Sequence, residues 1–312
     1  MSDIKLFRIA SGKAAELQGA ASDLEKPMQN LIEANLDTFL SIRFLASEYS
    51  TGKTHGGRID SLGLDENHCP VIVEYKRSVG ENVINQGLYY LDWLMDHQAE
   101  FKLLVLEKVG KSAADAIDWS APRLVCIAAD FTKFDGHAVQ QMNRNIELIR
   151  YRQFGDDLLL FELANASTAA VSKAKVVKGT KAPAVAAPVS GGTDKNFSEQ
   201  LSTLPPDLKL VLTSLEDYTT SLGDDVLRKE LKLYLAFKRL KNFATVVLAK
   251  KGVLLYLHLD PGPVTTAMKN ARDVTHIGHW GTGSLEVTLT SMKDFEEVKP
   301  LLMAAYEGRA PA

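Results

Sequence analysis

The chain has 312 residues and a mass of 34.2 kDa, enough for about two domains at roughly 100–200 residues each. It is 46% hydrophobic, 24% charged and 8% aromatic, which supplies real cores, yet no stretch approaches the roughly 18 uninterrupted apolar residues of a spanning helix, so a helical membrane protein is excluded. The net charge of −3 hides an uneven split: residues 1–165 carry 17 Lys+Arg against 24 Asp+Glu, an acidity that argues against a passive, field-driven DNA coat and suits a site that gathers carboxylates around a cation.

In chain order, residues 24–40 place apolar side chains at Leu24, Met28, Leu31, Ile32, Leu36, Phe39 and Leu40, a helical period. Residues 44–51 are predicted as a strand ended by Gly52. Residues 58–64 alternate, a turn follows at Asp65-Glu66-Asn67, and Pro70 opens the run Val71-Ile72-Val73-Glu74-Tyr75-Lys76; together these form a predicted hairpin. Asp65 and Glu66 are read as solvated turn residues. Residues 81–108 are helical with a break near Asp96, residues 123–129 form a buried strand, 136–145 a helix, and 146–154 and 157–163 two short strands. This order predicts an α/β fold, a mixed sheet flanked by helices.

Residues 165–196, rich in Ala, Ser, Lys, Gly and Pro with five Lys against one acid, contain no Leu, Ile or aromatic residue before Asn196 and read as a flexible tether between domains at 1–164 and 197–312. The back half opens with a helix at 206–221 and a second helical stretch at 225–233. Strands follow at 244–248 and 253–259, joined by Lys250-Lys251-Gly252, then a segment from His276 leading into a strand at 284–289 and a final helix at 292–306. This is a small α+β domain. Cys69 and Cys126 cannot build a disulfide scaffold or a four-cysteine zinc site, and the N-terminus has no basic region followed by an apolar core. The cytoplasm is the expected compartment.

The densest chemical signal is GGRIDSLGLDENHCPVIVEYK, residues 56–76. Strand alternation puts Glu74 and Lys76 on one face and Tyr75 on the other, and Asp60 joins them if the hairpin registers. A carboxylate and an ammonium in an apolar strand are costly to bury unless they pair or a metal neutralises the acids. Such a trio suits phosphodiester hydrolysis. A hard divalent cation held by Asp60 and Glu74, with the Tyr75 carbonyl as a further oxygen donor, would screen the phosphate, and Lys76 would orient the attacking water.

Asp60 followed by Glu74-x-Lys76 on adjacent strands resembles the PD-(D/E)XK, restriction-endonuclease-like, nuclease superfamily. The resemblance covers residues 24–163 and extends to Glu33 on the preceding helix, which matches an acidic residue that many members add to the metal site. Gln86 and Tyr90, one helical turn apart in the run Gln86-Gly87-Leu88-Tyr89-Tyr90, match the helix of the RecB-like and NucS-like branches. Ile59 stands where the superfamily's name has Pro. The resemblance implies Mg²⁺ or Mn²⁺ as cofactor, DNA as substrate, and roles for Gln86 and Tyr90 in orienting the scissile phosphate or Lys76.

Around this core, Glu48 is read as either facing the site or pairing at the surface with Arg43 or Lys53, and Gly56-Gly57 as a bend or a place of close ligand approach. Trp93 reads as core, and Arg77 as a phosphate contact. In the back half, residues 207–306 resemble a domain of unknown function that follows nuclease-like domains in bacterial and archaeal proteins, some labelled "predicted transport protein". Its loop Thr275-His276-Ile277-Gly278-His279-Trp280-Gly281-Thr282-Gly283 is either an anion-binding concavity or a turn needing positive φ. Eight Lys/Arg between Arg228 and Lys251, interleaved with Tyr234, Phe237 and Phe243, make Lys238, Arg239 and Lys241 candidates for nucleic-acid contact, with a solvated face over core aromatics as the plain alternative. The whole reads as a Mg²⁺-dependent deoxyribonuclease with an accessory domain for substrate or partner recognition. The alternatives are a catalytically silent binding module and a protein-interaction adaptor. Homodimerisation, common where both strands are cut, is left open.

Overall fold

The structure is a computed structural model that describes residues 4–20, 25–76, 83–155, 157–168 and 196–309. Two compact units emerge: one of residues 1–169 with Gly223–Leu227 and Phe237–Phe243, the other of residues 170–222, 228–236 and 244–312. The first carries β1 (Leu6–Ala10), β2 (Lys13–Leu17), β3 (Gly19–Ala20), α1 (Glu25–Ala34), α2 (Leu36–Leu40), β4 (Ile42–Ser50), α3 (Gly52–His55), β5 (Arg58–Asp65) and β6 (Pro70–Lys76). It continues with α4 (Val83–Asp96), α5 (Gln98–Lys108), α6 (Lys111–Asp115), β7 (Arg123–Ala128), α7 (Lys133–Gln141), β8 (Asn145–Phe154) and β9 (Leu158–Ser167).

Its main sheet runs β3-β8-β7-β6-β5-β4, with β9 on β8. β4, β5 and β6 are antiparallel, β6 to β7 to β8 parallel, and β9 antiparallel to β8. Parallel neighbours need a crossover, which α4–α6 supply before β7 and α7 before β8. With helices over both faces the central strands become continuous apolar runs. Alternation then sorts their side chains: Val71, Val73 and Tyr75 pack with Met28, Ile32, Leu36 and Leu40 of α1 and α2, while Ile72 packs with Ile84, Tyr90, Leu91 and Leu94 of α4. A Cβ at Gly87 would come within 2.4 Å of the Leu124 side chain, so glycine there lets α4 lie close on β7. Helix 24–40 is interrupted at Asn35, helix 81–108 breaks at His97, and β9 runs to Ser167, past the predicted boundary at 164.

A further sheet runs β10 (Leu227–Glu230), β11 (Leu235–Lys238), β12 (Asn242–Ala249), β13 (Gly252–Leu257), β15 (Leu285–Leu289) and β14 (Ala271–Asp273), and the second unit carries helices α8 (Phe197–Thr203), α9 (Pro206–Thr220), α10 (Pro261–Ala267) and α11 (Met292–Glu307). The stretch 225–233, predicted helical, is strand β10 instead. Most of the predicted tether, residues 169–195, lies outside the described residues. No helix among the described residues is long and apolar enough to cross a membrane.

Candidate active site

β5 and β6 pair with Ser61 opposite Val73, so Asp60 and Glu74 stand one step on, side by side at the end of the pairing. Two hydrogen bonds lock them: the Asp60 N–H donates to Glu74 Oε1 at 3.2 Å, and the Tyr75 N–H donates to Asp60 Oδ2 at 3.0 Å. Glu74 is fully buried, and its Oε2 has no hydrogen-bond partner among the described residues. Burial, then the neighbouring Asp60 charge, pushes its carboxyl up to about 9, with Lys76 working in the opposite direction. A buried acceptor without a donor is costly. With the Asp60 carboxylate beside it, Glu74 is one of the residues that could hold a cation. Lys76, two residues along the same face, is partly exposed.

Gln86 and Tyr90 reach the same end of the hairpin from α4. Tyr90 is buried, and its hydroxyl accepts from Gln86 Nε2 at 3.2 Å and from the Arg58 N–H at 3.3 Å. Gly57 makes room for it, since a Cβ there would sit 2.7 Å from the Tyr90 hydroxyl oxygen. Thus α4 is pinned to the strand that bears Asp60. Trp93 is core, as expected.

Glu33 belongs elsewhere. Its Oε1 accepts from Ser61 Oγ (2.6 Å), Ser47 Oγ (2.8 Å) and Gln29 Nε2 (2.8 Å), and Ser61 Oγ is also hydrogen-bonded to the Tyr75 hydroxyl. Tyr75 packs with Met28 and Ile32 of α1, so this cluster lies on the α1 face. Among the described residues no three His, Cys, Asp or Glu side chains gather as a metal-ligand set. The two carboxylates that the strands bring together are Asp60 and Glu74, and Gln29 Nε2, which donates to Glu33, also donates to the Asp60 carbonyl at 3.1 Å. The Tyr75 side chain shares the Glu33 cluster, which leaves its backbone carbonyl as the available donor.

Sequence reasoning left Glu48 between two roles. The β4–β5 register sets it opposite Asp60, between the pairs Ser47–Ser61 and Tyr49–Ile59. Its backbone is left-handed, φ 51°, an unusual state for a non-glycine residue and a common mark of functional strain. Its carboxylate binds Lys26 Nζ at 2.8 Å and stands 3.6 Å from Arg58 Nε, not near Arg43 or Lys53 as partner. The Lys26 hydrogen bond is the main cause holding the Glu48 carboxyl below its usual range. The RID spacing of Arg58 and Asp60 was the signal for Arg58; Lys26 had none.

Other expectations are corrected. Asp65 is buried, its Oδ2 paired with Arg123 Nη1 at 2.9 Å, and Arg123 also grips Glu147 through two 2.8 Å bonds. Glu66 accepts from the Asn242 N–H at 2.7 Å, and burial raises its carboxyl to about 7. Neither is a solvated turn residue. Lys238 is 2% exposed and donates to both Glu147 oxygens at 3.0 and 3.1 Å, within the first unit, so its ammonium is withdrawn from any phosphate. Arg239 pairs with Asp225, Lys241 is exposed, and Arg77 lies outside the described residues. In the 275–283 loop, the Thr282 and Ser284 N–H groups bond Thr245 Oγ1 and the Leu257 carbonyl, with Gly281 and Gly283 at positive φ, which favours the turn.

Residues 197–308 match a domain of unknown function, DUF5655. An uncharacterized protein of Haemophilus influenzae is 28% identical over 318 aligned positions, covering 97% of this chain and 100% of its own length. Among solved structures, a chain of the EndoMS-dsDNA2 complex is similar at 16% identity and a TM-score of 0.23, over 42% of this chain. This chain spans about half of that one (48%).

Proposed function

We propose that the chain is a divalent-cation-dependent nuclease of the restriction-endonuclease-like type, hydrolysing phosphodiester bonds in DNA. The observation that carries the proposal is Glu74 Oε2, buried and without a partner among the described residues, beside the Asp60 carboxylate. Asp60 and Glu74, with the carbonyl of Tyr75, are the residues that would hold Mg²⁺ or Mn²⁺; Mg²⁺ needs no more than one or two carboxylates and keeps several waters. When bound, such a cation screens the phosphate charge and makes a bound water more acidic.

The chain's own groups do the rest. The main-chain N–H groups of Asp60 and Tyr75 hold both carboxylates in place before substrate arrives. Lys76 Nζ donates to the attacking oxygen and steadies the charge that develops on the phosphate. Tyr90, held by Gln86 and the Arg58 amide, fixes the end of β5, and the Gln86 amide is the group nearest to hand for the scissile phosphate. DNA as substrate follows from the sequence resemblance, as does an accessory role in substrate or partner recognition for the C-terminal domain.

The test is incubation of pure protein with single- and double-stranded DNA and Mg²⁺ or Mn²⁺, beside Lys76→Ala. Metal-dependent cleavage lost in Lys76→Ala supports the proposal. Cleavage that survives the change points to a contaminant, and binding without cleavage favours a silent binding module.

A further inference from the structure

The loop between β4 and β5 encloses an open cleft of about 410 Å³ lined by Ser50, Gly52, Lys53, Gly56, Gly57 and Arg58. Its charge stands out. In a front half with seven more acids than bases, this wall carries two cations and no carboxylate, and Lys53 and Arg58 are both exposed. Glu48 stands 3.6 Å from Arg58, and exposed ion pairs of this kind are weak enough to yield to another anion.

The cleft is also built rather than loose. Thr51 closes the loop on itself, its N–H and hydroxyl both donating to the Gly57 carbonyl at 3.0 Å while the Gly57 N–H returns to the Thr51 hydroxyl at 2.9 Å. Tyr89 donates to the His55 carbonyl at 3.0 Å, the His55 ring packs on Tyr89 and His97, and Tyr90 holds the Arg58 amide. Gly52 and Gly56 have φ of 76° and 63°, and a Cβ at either would meet nothing within 4 Å. Glycine is there for the left-handed turn, and it leaves the wall bare.

Arg58 and Asp60 lie two residues apart on β5, about 7 Å along the strand. We infer that this cleft is a backbone-phosphate site that seats a phosphate flanking the scissile one, with Lys53 and Arg58 as its cations. The inference rests on the nuclease proposal and deepens it: the substrate is a polymer gripped beyond the bond that is cut.

The experiment compares wild type with Lys53→Ala/Arg58→Ala, and with Lys111→Ala/Lys133→Ala as a control for loss of exposed charge elsewhere. Binding of a fluorescent oligonucleotide is followed by anisotropy across salt concentrations with Ca²⁺ in place of Mg²⁺. Hydrolysis of the oligonucleotide and of bis(p-nitrophenyl) phosphate, which has no flanking phosphate, is followed with Mn²⁺. Loss of both cations is expected to weaken oligonucleotide binding about tenfold and to reduce the salt slope by roughly 1.4 for single strands or 1.8 for duplex. KM for the oligonucleotide should rise while turnover of the small diester and the melting temperature stay unchanged. An unchanged salt slope in a variant of an enzyme that binds and cuts overturns this inference alone. An equal loss on the small diester also overturns it, because the cations would then act on the scissile phosphate. A wild-type protein that neither binds nor cuts removes the nuclease proposal and this inference with it.

Discussion

Asp60 and Glu74 hold one another across the hairpin: the main-chain N–H of Asp60 donates to Glu74 Oε1 at 3.2 Å, and Asp60 Oδ2 accepts the N–H of the residue after Glu74 at 3.0 Å. Two acids fixed this way, one of them fully buried, give the metal-free chain a measurable pH signature. Burial and then Asp60 raise the Glu74 carboxyl to about 9, against roughly 4.3 in an unfolded chain. Between those values the folded state binds the extra proton. The associated stability is therefore complete below the unfolded pKa and is lost as pH rises through about 9. Thermal melts in EDTA should show the wild-type melting temperature falling from pH 5 to pH 9 more steeply than that of Glu74→Gln, which cannot ionise. Parallel curves for the two would contradict this.

Lys76→Met should lower the single-turnover cleavage rate by about 10²–10³, the usual cost of removing a preorganised donor to developing charge. Substrate affinity should change little, because one side chain among many contacts the strand. The rate at saturating enzyme, measured against substrate concentration, separates the two effects.

Glu33→Gln distinguishes a structural anchor from a metal ligand. The carboxylate organises Ser47, Ser61 and Gln29 on the α1 face, and weakening those bonds should cost about 1–3 kcal/mol in urea unfolding. Calorimetric affinity for Mn²⁺ should stay within about twofold of wild type.

Arg123→Met leaves Asp65 buried without its guanidinium partner and removes the bidentate grip on Glu147. Breaking a buried ion pair in this way costs about 3–5 kcal/mol, so urea unfolding should reveal a large loss. The cleavage rate per folded molecule should be unchanged, because the network lies away from the Asp60–Glu74 pair.

That Asp60 and Glu74 would meet was legible because a strand's two-residue period leaves little freedom once residues 58–64 and 70–76 pair. A helix is less binding. Glu33 sits on α1 as expected, but sequence spacing did not say which side of the sheet its carboxylate would serve. The hairpin Leu6–Ala10 with Lys13–Leu17 escaped notice because nearly all of it is exposed, so no buried face writes an alternation into the sequence. Residues 225–233 contain Leu, Lys and Glu, good helix formers, and pairing within the sheet overrode that preference to make β10. Asp65 looked solvated because its partner, Arg123, is 58 residues away and leaves no local trace. Lys238 misled for the same reason, its partner Glu147 being 91 residues distant.

Titration of Mn²⁺ into the intact chain near neutral pH, by calorimetry in two buffers of different ionisation enthalpy, asks most directly whether Asp60 and Glu74 receive a cation. A carboxyl raised to about 9 must give up its proton when an ion arrives, so saturable binding should release about one proton per ion, and both Asp60→Asn and Glu74→Gln should abolish it. Binding that persists in Glu74→Gln, or a wild-type chain that takes up no Mn²⁺, would contradict the account.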